Sequence, residues 1–357
     1  MTRLLAALLL LAAAAAAGAQ TAVQNGVVRL DSALDALIPA KAKAELLKGD
    51  YFGAIEGPVW VDDTRGGYLL FSDMAANAIY KWTPAGQLSV FLDKSGYTGN
   101  DINNVGGQYT NGRLHLLNIG SNGLTLDAQG RLIIAGMTDR NLTRLEKDGS
   151  RTTLADKYDG KRLNSPNDLV VKSDGAIYFT ETTSGLRGRD ESPARELPFH
   201  GVYLLKDPST TLGASGALRL LDKDPQGVAP NGIAFSPDER ILYVNGGLKI
   251  NAYDVLADDT IANPRVLIDM SVEKPPPGNT DGMKVDRNGN IYCSGPGGVW
   301  IVSPQGRHLG TIVTSDRVAN LAFGDADSRS LYLVGGRSLW RIRTTVPGIR
   351  PITKEKR

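Results

Sequence analysis

The residues best placed to do chemistry open one short phrase that this chain repeats. It reads Glu56-Gly-Pro-Val-Trp60, Asn122-Gly-Leu-Thr-Leu126, Asn167-Asp-Leu-Val-Val171, Asn231-Gly-Ile-Ala-Phe235 and Asp281-Gly-Met-Lys-Val285. A weaker sixth copy, Ala319-Asn-Leu-Ala-Phe323, puts Ala in the lead place. Equivalent positions of a cyclic repeat lie at equal radii, so the five oxygen-bearing leads would converge near one axis. Glu56, Asn167, Asn231 and Asp281 offer two carboxylates and two amide carbonyls, a hard, acceptor-rich set that suits Ca²⁺, with Mg²⁺ or Mn²⁺ as second choices. The competing reading is local. Asn-Gly and Asp-Gly are turn pairs, and an Asn at a loop-to-strand junction can simply cap the backbone. That reading fits Asn122 and Asn231. It fits Glu56 poorly, because Glu is not a turn residue and Gly-Pro-Val-Trp follows it directly. Carboxylates buried near an axis are costly without a cation, which favours the metal.

The elements that must position these residues are short strands. Repeats of about 40 to 50 residues built from strands signal a β-propeller. After the lead strand come turns with Gly where positive φ is needed, such as Asp127-Ala-Gln-Gly130, Lys172-Ser-Asp-Gly175 and Asp286-Arg-Asn-Gly289. Second strands follow (Ala176-Ile-Tyr-Phe179, Asn290-Ile-Tyr-Cys293), then third strands (Gly201-Val-Tyr-Leu-Leu205, Gly298-Val-Trp-Ile-Val302). Five copies carry a fourth strand. The sixth lacks one after Ile342, and Ala44 to Leu47 could supply it, closing the ring without an open edge. The expectation is an all-β fold, a six-bladed β-propeller with a central metal-binding channel over residues 43–345. Residues 20–42 read as an N-terminal arm with a short helix at Ser32 to Leu37, and 346–357 as a C-terminal tail. Two linkers exceed what a hairpin needs, the Gly/Asn-rich Gly96 to Gly120 and the charged Ser184 to His200. Loops of this length on a rigid scaffold either carry specificity or are solvated decoration.

The N-terminus opens with Met1-Thr-Arg3, continues with an apolar run from Leu4 to Ala17 and ends in Ala17-Gly-Ala19. This is the pattern of a secretory signal peptide over residues 1–19, so the expected location is periplasmic or secreted. No later run is long enough for a membrane span. The chain has 40 Lys and Arg against 38 Asp and Glu, a formal charge of +2. With no basic block, nucleic acid is a poor partner, and a small-molecule substrate and a monomer are expected. One cysteine and three histidines make nitrogen- and sulfur-ligated metals hard to build, so Zn²⁺ is only a last alternative. Cys293 ends an apolar strand and reads as a buried thiol. Trp60, Trp82, Trp300 and Trp340 recur at strand positions and read as core.

Four of the phrases carry a resemblance to a known family. Glu56-Gly-Pro-Val-Trp60, Ser165-Pro-Asn-Asp-Leu169, Pro230-Asn-Gly232 and Thr280-Asp-Gly-Met283 resemble, in order, the signature phrases of the gluconolactonase/regucalcin family. Phe71-Ser-Asp73 and Leu197-Pro-Phe-His-Gly-Val-Tyr203 are similar to its bacterial gluconolactonase-like branch. The resemblance implies a six-bladed propeller with a divalent cation in its channel. Glu56, Asn167, Asn231 and Asp281 would be its ligands, Asp281 would also be the acid/base, and Asn122 would face the substrate or stand behind the ligands. The family reaction is lactone hydrolysis. Two stretches depart from the family pattern. Ala135-Gly-Met-Thr-Asp139 stands where the branch often has a Cys-Glu-His-Gly-like phrase, so that histidine is absent. Thr180-Glu-Thr-Thr-Ser-Gly185 stands where Thr-Asp-Pro-Pro-Tyr-Gly is common. Glu181 and Asp139 in these stretches, and His200 in the charged loop, are further candidates for substrate binding.

The reading is therefore an exported, calcium-dependent lactonase that uses Asp281 as its catalytic residue on a sugar-derived cyclic ester. The departures keep open an isomerase, hydratase or lyase working on the same metal platform. A non-catalytic ligand-binding propeller is the third reading, and it would predict a lost ligand.

Overall fold

The computed structural model describes residues 26–351 except 104, 112–113, 207–217, 274 and 277. The expected signal peptide lies outside the described residues.

Six four-stranded antiparallel sheets form the blades of a β-propeller. Blade one, for example, runs outward through Ile55–Val61, Tyr68–Asp73, Ala78–Trp82 and Leu88–Asp93. The innermost strands of the other five are Leu124–Leu126, Ser165–Val171, Ile233–Phe235, Met283–Val285 and Asn320–Gly324. Glu45–Lys48 is the outer strand of blade six, pairing Glu45 with Arg341 and Leu46 with Trp340. The two ends of the propeller thus share one sheet, which closes the ring.

The arm contributes more than its sequence suggested. Val27–Arg29 adds a fifth strand to blade five, pairing Val27 with Ile312. Ser32–Ala36 is a 3₁₀ turn capped by Asp31, whose side chain accepts from the Ala33 N–H. Leu34, Leu37 and Ile38 then pack into the seam between blades five and six.

Six hydrophobic clusters lie one at each seam between neighbouring blades. Successive strand residues face opposite sides. In blade three, Ile177 and Phe179 pack toward blade two, whereas Ala176 and Tyr178 pack toward blade four. A strand with a blade on either side is apolar on both faces, which erases the alternation of a half-buried strand. The four tryptophans are all buried; Trp60 stacks on Tyr332 across the seam between blades one and six, with ring centroids 5.6 Å apart. Cys293 is a buried free thiol in the seam between blades four and five.

Candidate active site and metal centre

The lead residues are held by the same main-chain device around the ring. The N–H groups of Asn122, Asn231, Asp281 and Ala319 donate to the carbonyls of Ala135, Asn245, Ser294 and Val334 at 2.9, 2.8, 3.0 and 2.8 Å. In blades one and three the lead lies inside its strand at a break in register, between Glu56 and Val59 and between Pro166 and Leu169. Such bulges re-aim side chains at the end of a strand. The lead carbonyls are bound in turn by the preceding blade: Ser72 Oγ donates to Asn122 O at 2.8 Å, Thr180 Oγ1 to Asn231 O at 2.7 Å, and Asn245 Nδ2 to Asp281 O at 2.5 Å. Ser72, Thr180 and Asn245 were not singled out from the sequence. Their signal was a polar residue closing an otherwise apolar second strand, as in Phe71-Ser, Phe179-Thr and Val244-Asn.

The glycines after the leads decide between metal site and turn. Type I′ turns need positive φ at both central residues. Gly123, Gly232 and Gly282 are not among the positive-φ residues. They are glycine because neighbouring strands crowd the axis. A Cβ on Gly232 would sit 2.4 Å from Asp281 O, and one on Gly282 2.0 Å from the Asn320 side chain. The Asn-Gly and Asp-Gly pairs are close-approach sites, and the turn-pair reading does not apply to them.

Glu56, Asn122, Asn167, Asn231 and Asp281 all line one cavity of about 400 Å³ at the mouth of the central channel. Glu56 and Asp281 are 4% and 8% exposed. Burial, and next the charge of Asp281, push the Glu56 carboxyl well above the usual carboxylate range. The Gly57 N–H, 2.8 Å from Glu56 Oε2, and Asn320 Nδ2, 3.0 Å from the same oxygen, oppose this. Burial also raises Asp281, against the ion pair with Arg317 and a hydrogen bond from Asn231. Asp168, next to Asn167, adds a third negative charge that raises both. Asn320 links Asp168 to Glu56, donating from Nδ2 to both carboxylates, and Lys284 Nζ donates to its Oδ1 at 3.4 Å.

The residues fit a hard cation. Two buried carboxylates, with Asp281 raising Glu56 and Asp168 raising both, call for positive charge near them. Asn122 Oδ1 is a buried acceptor without a hydrogen-bond partner, the kind of group that an ion or ligand satisfies. Among the described residues no group of three or more His, Cys, Asp or Glu gathers to hold a metal. This centre instead mixes two carboxylates with amide oxygens, a donor set of Ca²⁺ type rather than Zn²⁺ type.

Two expected substrate residues lie elsewhere. Glu181 is fully buried and does not line the cavity; its carboxylate accepts from the N–H groups of Asn164 (2.5 Å) and Ser165 (2.7 Å). It braces the entry to the inner strand of blade three. Asp139 is spent on the Thr98 N–H at 3.1 Å, tying the Gly/Asn-rich linker to blade two. His200 does line the cavity, with Asp190 and Thr183 beside it. Arg317 and Asp190 were missed because they come from connecting segments with no repeat to mark them. Met137, from the stretch that lacks the family histidine, lines the cavity with Met74. His308 stacks on Trp300 at 3.7 Å, away from the channel, and the side chain of His115 lies outside the described residues.

With fold and site in place, comparisons define the class. Residues 55–337 match the model of the SMP-30/gluconolactonase/LRE-like region, and the chain belongs to this family. Among its relatives is a gluconolactonase of Zymomonas mobilis, 32% identical over 90% of this chain and 87% of that one. A solved gluconolactonase from Xanthomonas campestris superposes with a TM-score of 0.73 at 31% identity, covering 90% of this chain and 96% of that one. The calcium-binding protein regucalcin from Agrobacterium tumefaciens shares the fold, with a TM-score of 0.62 at 17% identity over 87% and 97% of the two chains. Lactone hydrolysis is the class of chemistry these relatives support.

Proposed function

We propose that this protein is a calcium-dependent hydrolase that opens a sugar-derived lactone. The observation that carries the reading is the convergence of Glu56, Asn167, Asn231 and Asp281, with Asn122, on one cavity, two of them buried carboxylates of like charge. Glu56, Asn167, Asn231 and Asp281 would hold the cation. When bound, it would supply Lewis-acid polarisation of the ester carbonyl and a more acidic water.

The chain's own residues do the rest. Asp281 accepts the proton of the attacking water at its carboxylate, and its hydrogen bond from Asn231 and ion pair with Arg317 hold that carboxylate in place. The Asn122 amide faces the same cavity and orients the lactone. Asn320 fixes Glu56 from beneath through its 3.0 Å hydrogen bond. The reaction adds water across the acyl–oxygen bond: the hydroxyl goes to the acyl carbon, and the proton held at Asp281 passes to the leaving alkoxide, giving a hydroxy acid. Both products stay in one molecule, so the cavity need only admit and release a single small ligand.

The same reading places the mature protein outside the cytoplasm, because its N-terminus has a basic start, an apolar run and a small-residue exit. Cell fractionation with N-terminal sequencing tests this, and a retained Met1 in a cytosolic fraction would refute it. Proton release from a panel of lactones, with Ca²⁺ or with chelator, tests the activity. Hydrolysis that persists in chelator would remove the metal from the reading. Isomerase, hydratase or lyase chemistry gains support only if no lactone is opened.

A further inference from the structure

One group of side chains in the cavity is not used by this mechanism, and blade three supplies all of it. Thr183 follows the second strand Ile177–Thr182, Asp190 sits in the 3₁₀ turn Arg189–Glu191, and His200 immediately precedes the third strand Gly201–Leu205. Asp190 Oδ1 accepts from Thr183 Oγ1 at 2.9 Å and lies 2.9 Å from His200 Nε2. Arg195 Nη1 is 3.4 Å from the same carboxylate oxygen. The main chain of His200 is fixed by its N–H, which donates to Asp224 Oδ1 at 2.8 Å. The His200 ring therefore has an acidic partner at each nitrogen, since Nδ1 is 3.5 Å from Asp224 Oδ1. Burial pushes Asp190 up, but Thr183, His200 and Arg195 together hold it below the usual carboxylate range, so it is an anionic acceptor at neutral pH.

This wall differs chemically from its neighbour. Blades one and two present Met74 and Met137 to the cavity. A buried hydroxyl is both donor and acceptor, and a wall that recognises it must offer both roles. Carboxylate, hydroxyl and imidazole do so; thioethers do not. We infer that Thr183, Asp190 and His200 are the specificity-determining residues that hold the ring hydroxyls of a polyhydroxylated lactone, while its ester lies at Glu56 and Asp281. The inference rests on the lactonase reading and adds to it the residues that choose the substrate.

The test compares two six-membered lactones that differ in their hydroxyl-bearing substituents, glucono-1,5-lactone and δ-valerolactone. The readout is the ratio of their kcat/KM values, corrected for spontaneous opening. The wild type should prefer the hydroxylated ring. Asp190→Asn and His200→Gln should each lower that ratio about 10- to 100-fold, the loss expected when a hydrogen bond to a charged group is removed. Thr183→Val should lower it and Thr183→Ser should retain it, a rescue that a merely structural role would not produce. If Asp190→Asn does not fold, the Thr183 pair decides alone. An unchanged ratio in the folded variants, or equal losses on both lactones, overturns the inference and leaves the lactonase reading intact. A wild-type protein that opens neither lactone overturns both.

Discussion

The two ends of the central channel are built from the same six inner strands and differ in nearly everything else. At the mouth that carries the lead residues, the cavity is about 400 Å³ and has charged and amide walls. At the other end a cavity of about 120 Å³ is lined by Val59, Val170, Ala234 and Ala322 with Lys284, and by Ile349 to Pro351 of the C-terminal segment. That segment is held by Arg350, whose guanidinium meets Asp62 at 2.9 Å, and by the Ile349 N–H, which donates to Val285 O at 2.9 Å. Ile349 and Arg350 are therefore docked on the propeller. The contrast teaches that a propeller blade sets its lead side chain at one end of the channel, while in blades one, three, four and six the residue three places on (Val59, Val170, Ala234, Ala322) lines the far end as apolar packing. Function and stability separate along the axis over a single strand length.

The strongest way to break this comparison is to treat both ends alike. Asp281→Ala should cost about 10²- to 10⁴-fold in kcat/KM for lactone, the range for loss of a general base. Removing residues 346–357 should lower the melting temperature and leave kcat intact below unfolding. Equal effects on kcat would erase the distinction.

A second test sharpens it through the cation. Ca²⁺ at about 100 times its Kd should stabilise the wild type by about 2.7 kcal/mol. Glu56→Gln removes a buried carboxyl raised by its surroundings. That variant should be at least as stable as the wild type in chelator and should lose most of the calcium response in a thermal shift. A full response in the variant would take Glu56 out of the ligand set.

A third probes the crowding of the axis. Gly282→Ala places a Cβ against Asn320. It should cost about 1–3 kcal/mol in urea unfolding, the usual penalty for overpacking, and should lower activity by moving Asp281. A neutral outcome would revive the reading of these pairs as turns.

The fourth test concerns Glu181, which lies off the cavity and should leave kcat unchanged. Burial pushes its carboxyl up to about 8, against N–H bonds from Asn164, Ser165 and Thr182. A raised folded pKa means that the native state keeps a proton the unfolded chain has released. Stability should therefore fall as pH rises from the ordinary carboxylate range toward about 8, by at most about 1.4 kcal/mol per unit. Urea midpoints at pH 5.5 and 8 should show this slope in the wild type and a flatter one in Glu181→Gln.

Much of this was legible in one sequence because the repeat writes the same instruction six times. The strand phrases fixed blade number and order, the oxygen-bearing leads marked the radius of the site, and Ala44 to Leu47 stood out as the strand missing from the last blade. What escaped the reading had no repeat behind it. Arg317, Asp190 and the docking of Val27–Arg29 on blade five depend on where single connecting segments come to rest. Glu181 and Asp139 looked like pocket residues because their stretches depart from the family pattern. The structure turns both carboxylates toward backbone N–H groups: those of Asn164 and Ser165 satisfy the buried Glu181, and that of Thr98 holds the half-buried Asp139.

By itself, then, the sequence determined the all-β propeller, the lead positions and the family. Hydrophobic periodicity and repeated phrases are local properties that survive without coordinates. Only the tertiary structure decided which carboxylates share a cavity, that Gly123, Gly232 and Gly282 serve close approach rather than turns, and that His200 stands beside Asp190 and Thr183. Those are facts of distance between blades, and the position of a residue in the chain does not carry them.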